Sequence, residues 1–175
     1  EHPDGHGPLV GRQLRYLIQS QYGCLGGIGF ASAALQLADR DRWIGWDRDQ
    51  RRAHLDGIVG LSRFLIRPMV ECRNLASKVL SRVMGRVADD FETVYYYRPW
   101  LVETFVDTDQ HDGACFRAAN WTRVGKTQGR GRQDRAKDAA LSRKDIYVWA
   151  LEPDFREQLG LPPEAGLGPR QVGDG

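Results

Sequence analysis

The sequence predicts one α/β domain, a mixed and partly parallel β-sheet flanked by helices. Three observations point to it. Alternating residues near the amino end make a hairpin, with Leu14, Tyr16 and Ile18 set against Arg15 and Leu17 and followed by a glycine-loosened strand, "CLGGIGFASAA". Apolar strand signals recur at residues 60–67, 98–107 and 146–151. Helix-periodic stretches separate them, and a strand–helix–strand connection is how a chain joins parallel neighbours. With 175 residues and 41% hydrophobic content, the chain is long enough for a single core.

In order, residues 1–10 ("EHPDGHGPLV") cannot hold regular structure and form a linker end. After the hairpin, "RDRWIGW" reads as a charged turn, and Asp47 to Leu55 as a short helical stretch. Gly60 to Arg67 is a strand stopped by Pro68. Leu75, Val79, Leu80, Val83 and Met84 then repeat at helical spacing, predicting a helix to about Val87. "RPWLVETFVD" is the next strand, "DGACFRAANWTRVG" a short helix with a turn, and Ile146 to Leu151 the last strand. The domain is expected over residues 11–155, with a disordered, Gly/Pro-rich tail at 156–175.

Net charge is only +2, but residues 123–145 carry eight Lys/Arg against three Asp. This segment reads either as a solvated connector or as a basic arm. In the second reading Arg123, Lys126, Arg130, Arg132 and Arg135 contact nucleic-acid phosphates. Cys24, Cys72 and Cys115 are odd in number and widely spaced, without a CxxC pair. That spacing argues for a reducing, cytoplasmic setting and against a metal site. No apolar run approaches the about 18 residues of a membrane span.

Open sheets bind ligands beyond the carboxyl ends of their strands, which singles out "VECRNLAS" and "VDTDQHDGA". A helix start offers unpaired N–H groups and partial positive charge, so Arg73, Asn74, Leu75, Ala76 and Ser77, with Arg67 before them, are candidates to hold a phosphate. The alternative is that Asn74 caps the helix and Arg73 faces water. Glu103 sits among apolar neighbours on a central strand, where desolvation would raise its pKa and suit a general base. The alternative there is a buried pair with Arg63 or Arg67. Asp107, at the strand end, is read as a cap for the following helix. The aromatic load around Trp43, Trp46, Tyr95 to Tyr97, Trp100 and Trp121 is mostly core, any exposed remainder being able to stack on a base.

The stretch from the Gly60 strand through "RNLAS", "WLVETFVD", "ACFRAANW" and "VGKT" resembles the second half of a GNAT acyltransferase fold. The resemblance implies a turn after the first of these strands that grips a coenzyme A pyrophosphate, hence acyl-CoA as cofactor. It sets Phe116 at the position of the usual tyrosine acid, Asn120 at a glycine and Trp121 at a phenylalanine. The glycines of that turn are missing from "ECRNLAS", and Phe116 has no hydroxyl, so a standard acetyltransferase is disfavoured. Over residues 8–153 the strings "PLVGRQLRY", "ADRDRWIGWD", "SRFLIRP", "RNLASKVLSRV", "YRPWLVETFVD" and "CFRAANWTRVGKTQGRGRQDR" resemble the Druantia anti-phage protein A family, which also occurs beside or fused to bacterial transposases. The "RN" turn and "AANW" ending are also similar to phage Mom proteins, GNAT-like enzymes that modify adenine in DNA. Two readings follow from these resemblances. One is a GNAT-like domain acting on or binding DNA, by nucleobase or acyl transfer, with Glu103 as base and Phe116 and Asn120 at the catalytic positions. The other is a non-catalytic DNA-binding or adaptor module that partners other defence or transposition proteins.

Overall fold

The computed structural model describes residues 11–129 and 143–164. Six strands form one mixed sheet: β1 (Leu14–Ser20), β2 (Gly23–Ser32), β3 (Ile58–Ile66), β4 (Leu101–Asp107), β5 (Thr122–Lys126) and β6 (Lys144–Ala150), in the spatial order β1-β2-β3-β4-β6-β5. All neighbouring pairs are antiparallel except β3 and β4. The mixed, partly parallel, helix-flanked sheet is therefore as expected, but only one crossover is parallel. The second connection from β4 runs through a short helix and then β5, which the sequence reading took for a turn and loop, and β6 returns antiparallel between β4 and β5.

Helices cover both faces. α1 (Ala38–Ile44) and α6 (Phe155–Gln158) supply Ile44 and Phe155 to a core with Trp46, Ile58, Trp100, Leu101 and Ile146. On the other face α3 (Leu75–Met84), α4 (Val87–Tyr95) and α5 (Ala114–Ala118) bring Leu80, Phe91 and Phe116 onto Phe30, Leu61, Val102 and Tyr147. α2 (Arg48–His54) is held by a capping box, Asp47 accepting from the Gln50 amide while Gln50 accepts from the Asp47 amide.

Several boundaries differ from the sequence reading for physical reasons. The expected charged turn at 40–46 is α1, whose Asp39 and Asp41 suit a helix start and whose Gly45, at φ 84, ends it. Its apolar stripe is hidden because one of its inward residues is Arg40. The single helix expected to reach Val87 breaks at Gly85, and α4 follows, burying Val87, Ala88 and Phe91. The expected tail begins as α6, with Leu161 buried in the second core. Residues 1–10 and 165–175 lie outside the described residues.

The parallel pairing of β3 and β4 is short: Ile58 with Leu101, Val59 with Val102 and Gly60 with Glu103. Just beyond, β3 carries a bulge, since Phe30 of β2 faces Leu61 while the preceding Gly29 faces Arg63, leaving Ser62 extra. A bulge bends its strand. β3 follows β2 away while β4 stays paired to β6 along all seven residues, and the two parallel strands part at their carboxyl ends. Arg63 to Ile66 lie beyond the short pairing with β4 and stay paired to β2. The Leu61 carbonyl at the apex of the opening between β3 and β4 accepts a hydrogen bond from Thr104 Oγ1 at 3.1 Å.

At the closed end of the same strands Gly57 and Trp100 approach closely: the Trp100 amide donates to the Gly57 carbonyl at 2.8 Å, and a methyl on Gly57 would lie 1.8 Å from the indole nitrogen. Gly57→Ala is expected to push Trp100 off its stack with Phe155 and cost about 1–3 kcal/mol, read as a lower urea midpoint at an unchanged m-value.

Candidate functional site

α3 starts at the mouth of the β3/β4 opening through a tight turn, its Leu75 amide donating to the Cys72 carbonyl at 3.2 Å. Asn74 occupies the position before the helix but does not cap it. Its backbone is left-handed (φ 61, ψ 16) and its side chain bonds no helix amide, whereas a capping residue is normally extended so that its oxygen can fold back. Its carbonyl accepts from the Lys78 amide and from Ser77 Oγ, each at 3.1 Å. Arg73 is exposed, and Leu75, Ala76 and Ser77 are half-buried behind it. Arg67, also exposed, closes the bend from β3 by donating to the Cys24 carbonyl at 3.3 Å. The turn thus brings Arg67, Arg73 and the uncapped helix start to one end of the sheet.

Glu103 is placed differently. It is fully buried, on the face that α1 covers, and its carboxylate accepts from Arg40 Nη1 at 2.8 Å and from the Ala34 amide at 2.9 Å. The expected partners Arg63 and Arg67 are both exposed. Burial pushes the Glu103 carboxyl up, and the Arg40 guanidinium and the Ala34 amide pull against that shift. Arg40 was not singled out by the sequence reading. The signal was there in "ADRDRW", where an arginine between two aspartates occupies the inward position of an acidic helix start. Asp107 does not cap α5. It accepts from the Asp109 amide at 3.1 Å within the turn that follows β4, while Asp112 bonds the Ala114 amide at 2.9 Å.

Phe116 is core. Its ring stacks on Tyr147 at 5.7 Å and meets Trp121 edge-on at 5.2 Å. The indole N–H of Trp121 is buried with no acceptor among the described residues. Asn120 is exposed and left-handed at φ 64. Asn74, Tyr96 and Asn120 are the three non-glycine residues at positive φ among those described, and Asn74 is the one in the α3 turn. Cys115 is half-buried, its thiol pushed up by desolvation.

The basic segment divides. Arg123 is not on a loop but on the edge strand β5, paired with Asp145 of β6 at 2.8 Å. Lys126 ends that strand with an exposed side chain, its amide donating to Asp39 at 2.8 Å. Arg130, Arg132 and Arg135 lie outside the described residues. Glu103, Phe116 and the α3 turn are therefore not one constellation: the structure brings together Arg67 and residues 73–77, and puts Glu103 and Phe116 in opposite cores. Among the described residues no group of three or more His, Cys, Asp or Glu is placed to hold a metal ion, and no helix is long and apolar enough to cross a membrane.

A family model described as Druantia protein DruA matches residues 2–158. The chain belongs to that family. Comparison with curated proteins finds no match for this DruA-family chain. Among solved structures it is similar to aminoglycoside acetyltransferase AAC(6')-Ib in complex with coenzyme A and kanamycin, at 13% identity and a TM-score of 0.50, over 83% of this chain and 71% of that one. It is also similar to spermidine/spermine N-acetyltransferase SpeG from Vibrio cholerae, at 7% identity and a TM-score of 0.51, over 83% and 69%. At these identities the likeness is one of fold, and the fold of the DruA-family chain is that of the GNAT acetyltransferases.

Two expectations follow. Glu103→Ala should cost about 3–5 kcal/mol in urea unfolding, because it removes the buried partner of Arg40 and leaves the guanidinium only Asp41, and a smaller loss would show that Asp41 alone compensates the charge. The Arg123 bond holds the Asp145 carboxyl below its ordinary range, so the pair stabilises above the unfolded aspartate pKa and its contribution fades as pH falls through the lowered folded value. Asp145→Asn should therefore cost about 0.5–1 kcal/mol at neutral pH, with the gap to wild type closing on acidification below about pH 4.

Proposed function

We propose that this chain is a DNA-binding domain of an anti-phage defence assembly, built on an acetyltransferase fold but not performing conventional acetyl transfer. The observation that carries the reading is the occupation of the two groups a transferase would use. Phe116 at the acid position is packed between Tyr147 and Trp121, and Glu103 is bonded to Arg40 and Ala34. A base already accepting two charge-strengthened bonds in a closed core has little access to a substrate proton. What stays available is anion binding, through exposed Arg67, Arg73 and the uncapped α3 start, with Lys126 and the basic segment beyond it adding phosphate contacts. DNA is the polyanion that the family context favours, and other defence or transposase proteins are its natural partners.

One observation favours a second reading. The β3/β4 opening with a helix starting at its mouth is the shape that would accept the pantetheine and pyrophosphate of an acyl-CoA. Asn74 there takes the left-handed conformation that glycine would take most easily. In that reading the domain transfers an acyl or related group to DNA by chemistry that does not use Phe116.

Thermal shift separates the two. A ligand held at about 100 times its Kd stabilises the fold by roughly 2.7 kcal/mol, so oligonucleotide should raise Tm while coenzyme A and acetyl-CoA leave it unchanged. A rise with coenzyme A alone would reverse the order of the readings. Arg73→Ala should weaken the bound anion by about 1–3 kcal/mol with little effect on folding, and affinities for coenzyme A and for DNA both unchanged from wild type would reduce the turn to a plain helix start.

A further inference from the structure

Between the edge strand β1 and α3 lies a groove of about 1200 Å³, on the face of the sheet that α3 covers. Lys78 and Arg82 line it one helical turn apart, about 6 Å along the α3 axis, and Arg86 lines it beyond the break at Gly85. Among the described residues no aspartate or glutamate lines it, although Asp90 bonds two lining residues, Tyr16 and Arg86. Lys78 and Arg82 are exposed and make no ion pair among the described residues. Arg86 is partly neutralised by Asp90, at 2.8 Å, and lies over the Tyr16 ring at 5.5 Å.

We propose that this groove is a track for single-stranded nucleic acid, its phosphates met in turn by Lys78 and Arg82, with Arg86 at the far end. Three features favour this occupant. A charge that repeats along a line suits a polyanion with a repeating backbone better than one isolated phosphate, which needs converging donors. The floor is apolar, formed by Leu25, Ile28, Val79 and Val83 with the Tyr16 ring beside it, and sets no charge against phosphates held at the rim. The near end opens at Cys72 and Asn74, so the line of charge continues to Arg73 at the turn already described. The inference rests on the nucleic-acid reading above but uses residues outside its site.

The test is fluorescence anisotropy of a labelled mixed-sequence single strand of about 16 nucleotides, titrated at several salt concentrations. Removing two phosphate contacts with Lys78→Gln/Arg82→Gln should make the slope of log K against log salt shallower by about 1.4, at about 0.7 per contact on single strands. Arg52→Gln, on exposed α2, should keep the wild-type slope, and the double variant should keep the wild-type Tm because both side chains are exposed. An unchanged slope in a folded double variant overturns the groove and leaves DNA binding to the turn and the basic segment. Displacement of the strand by polyglutamate as readily as by an oligonucleotide of equal charge also overturns it, and assigns the groove to an acidic protein segment. A wild-type protein that binds no oligonucleotide removes the nucleic-acid reading itself, and this inference with it.

Discussion

Arg40 and Glu103, both fully buried, meet across the boundary between α1 and β4. Two charges cannot stay in an apolar core unless each has its partner in place, and here the partners come from the loop after β2, from α1, from α2 and from β4. The guanidinium also bonds the Ala34 carbonyl at 2.8 Å and Asp41 at 2.9 Å; Asp41 in turn takes the Trp46 indole at 2.9 Å and Arg51 at 3.2 Å. The charges alternate along this chain from Glu103 through Arg40 and Asp41 to Arg51. The loop after β2, the helix α1, the start of α2 and the central strand are thereby fixed in one arrangement, since moving any of them strands a charge. That arrangement covers the half of the sheet containing Ile58 and Leu101 and leaves uncovered the half where β3 and β4 part.

The opening itself has a separate cause. A parallel pair normally continues as long as both strands do, but the extra residue at Ser62 turns β3 after three paired positions. Parting leaves backbone groups without ladder partners, and an orphaned buried carbonyl is costly. Thr104, itself buried, offsets part of that cost by donating to Leu61. Serine at the bulge and threonine opposite it are small hydrogen-bonding residues where two adjacent central strands would ordinarily present aliphatics. The same sequence choice therefore ends the pairing and makes the end tolerable.

Most of the architecture was legible in the sequence because it rests on periodicity. Hairpin alternation, the strands around Phe64 and Val102, and the α3 repeat all report directly which face is buried. The failures have one origin, in that inward positions were held by polar residues or by residues whose packing is non-local. α1 was missed because Arg40 interrupts its apolar stripe, α4 because "VADDFETVY" shows only one large inward residue, Phe91, and β5 because its short run "TRVGK" is stabilised by pairing to β6 and by Arg123–Asp145 rather than by its own apolar content. At the candidate site the buried state of Glu103 was legible, since a carboxylate in "WLVETFVD" must be paired. Its partner was not, because Arg40 lies 63 residues away and only the tertiary fold brings it there.

The missing glycines were a signal that sequence alone reads one way and backbone geometry another. Absence of glycine suggests a turn that has lost its shape. Yet Asn74 and Asn120 both stand at positive φ, at 61° and 64°, in the left-handed region that asparagine enters more readily than other side-chain-bearing residues. Both positions are thus left-handed, and the residue there carries an amide side chain instead of a hydrogen. At Asn74 that side chain makes no bond to the helix it precedes. A ligand approaching the α3 start would meet a neutral amide and the Arg73 guanidinium before it reached the backbone N–H groups. Glycine-lined turns let a diphosphate lie against main-chain amides, whereas a turn fronted by Asn and Arg engages phosphate oxygens at longer reach through side chains. On the reading proposed above, that reach suits a backbone-phosphate contact on an extended polyanion more than a buried cofactor diphosphate, and the turn and the Lys78 and Arg82 of α3 would be two parts of one binding face.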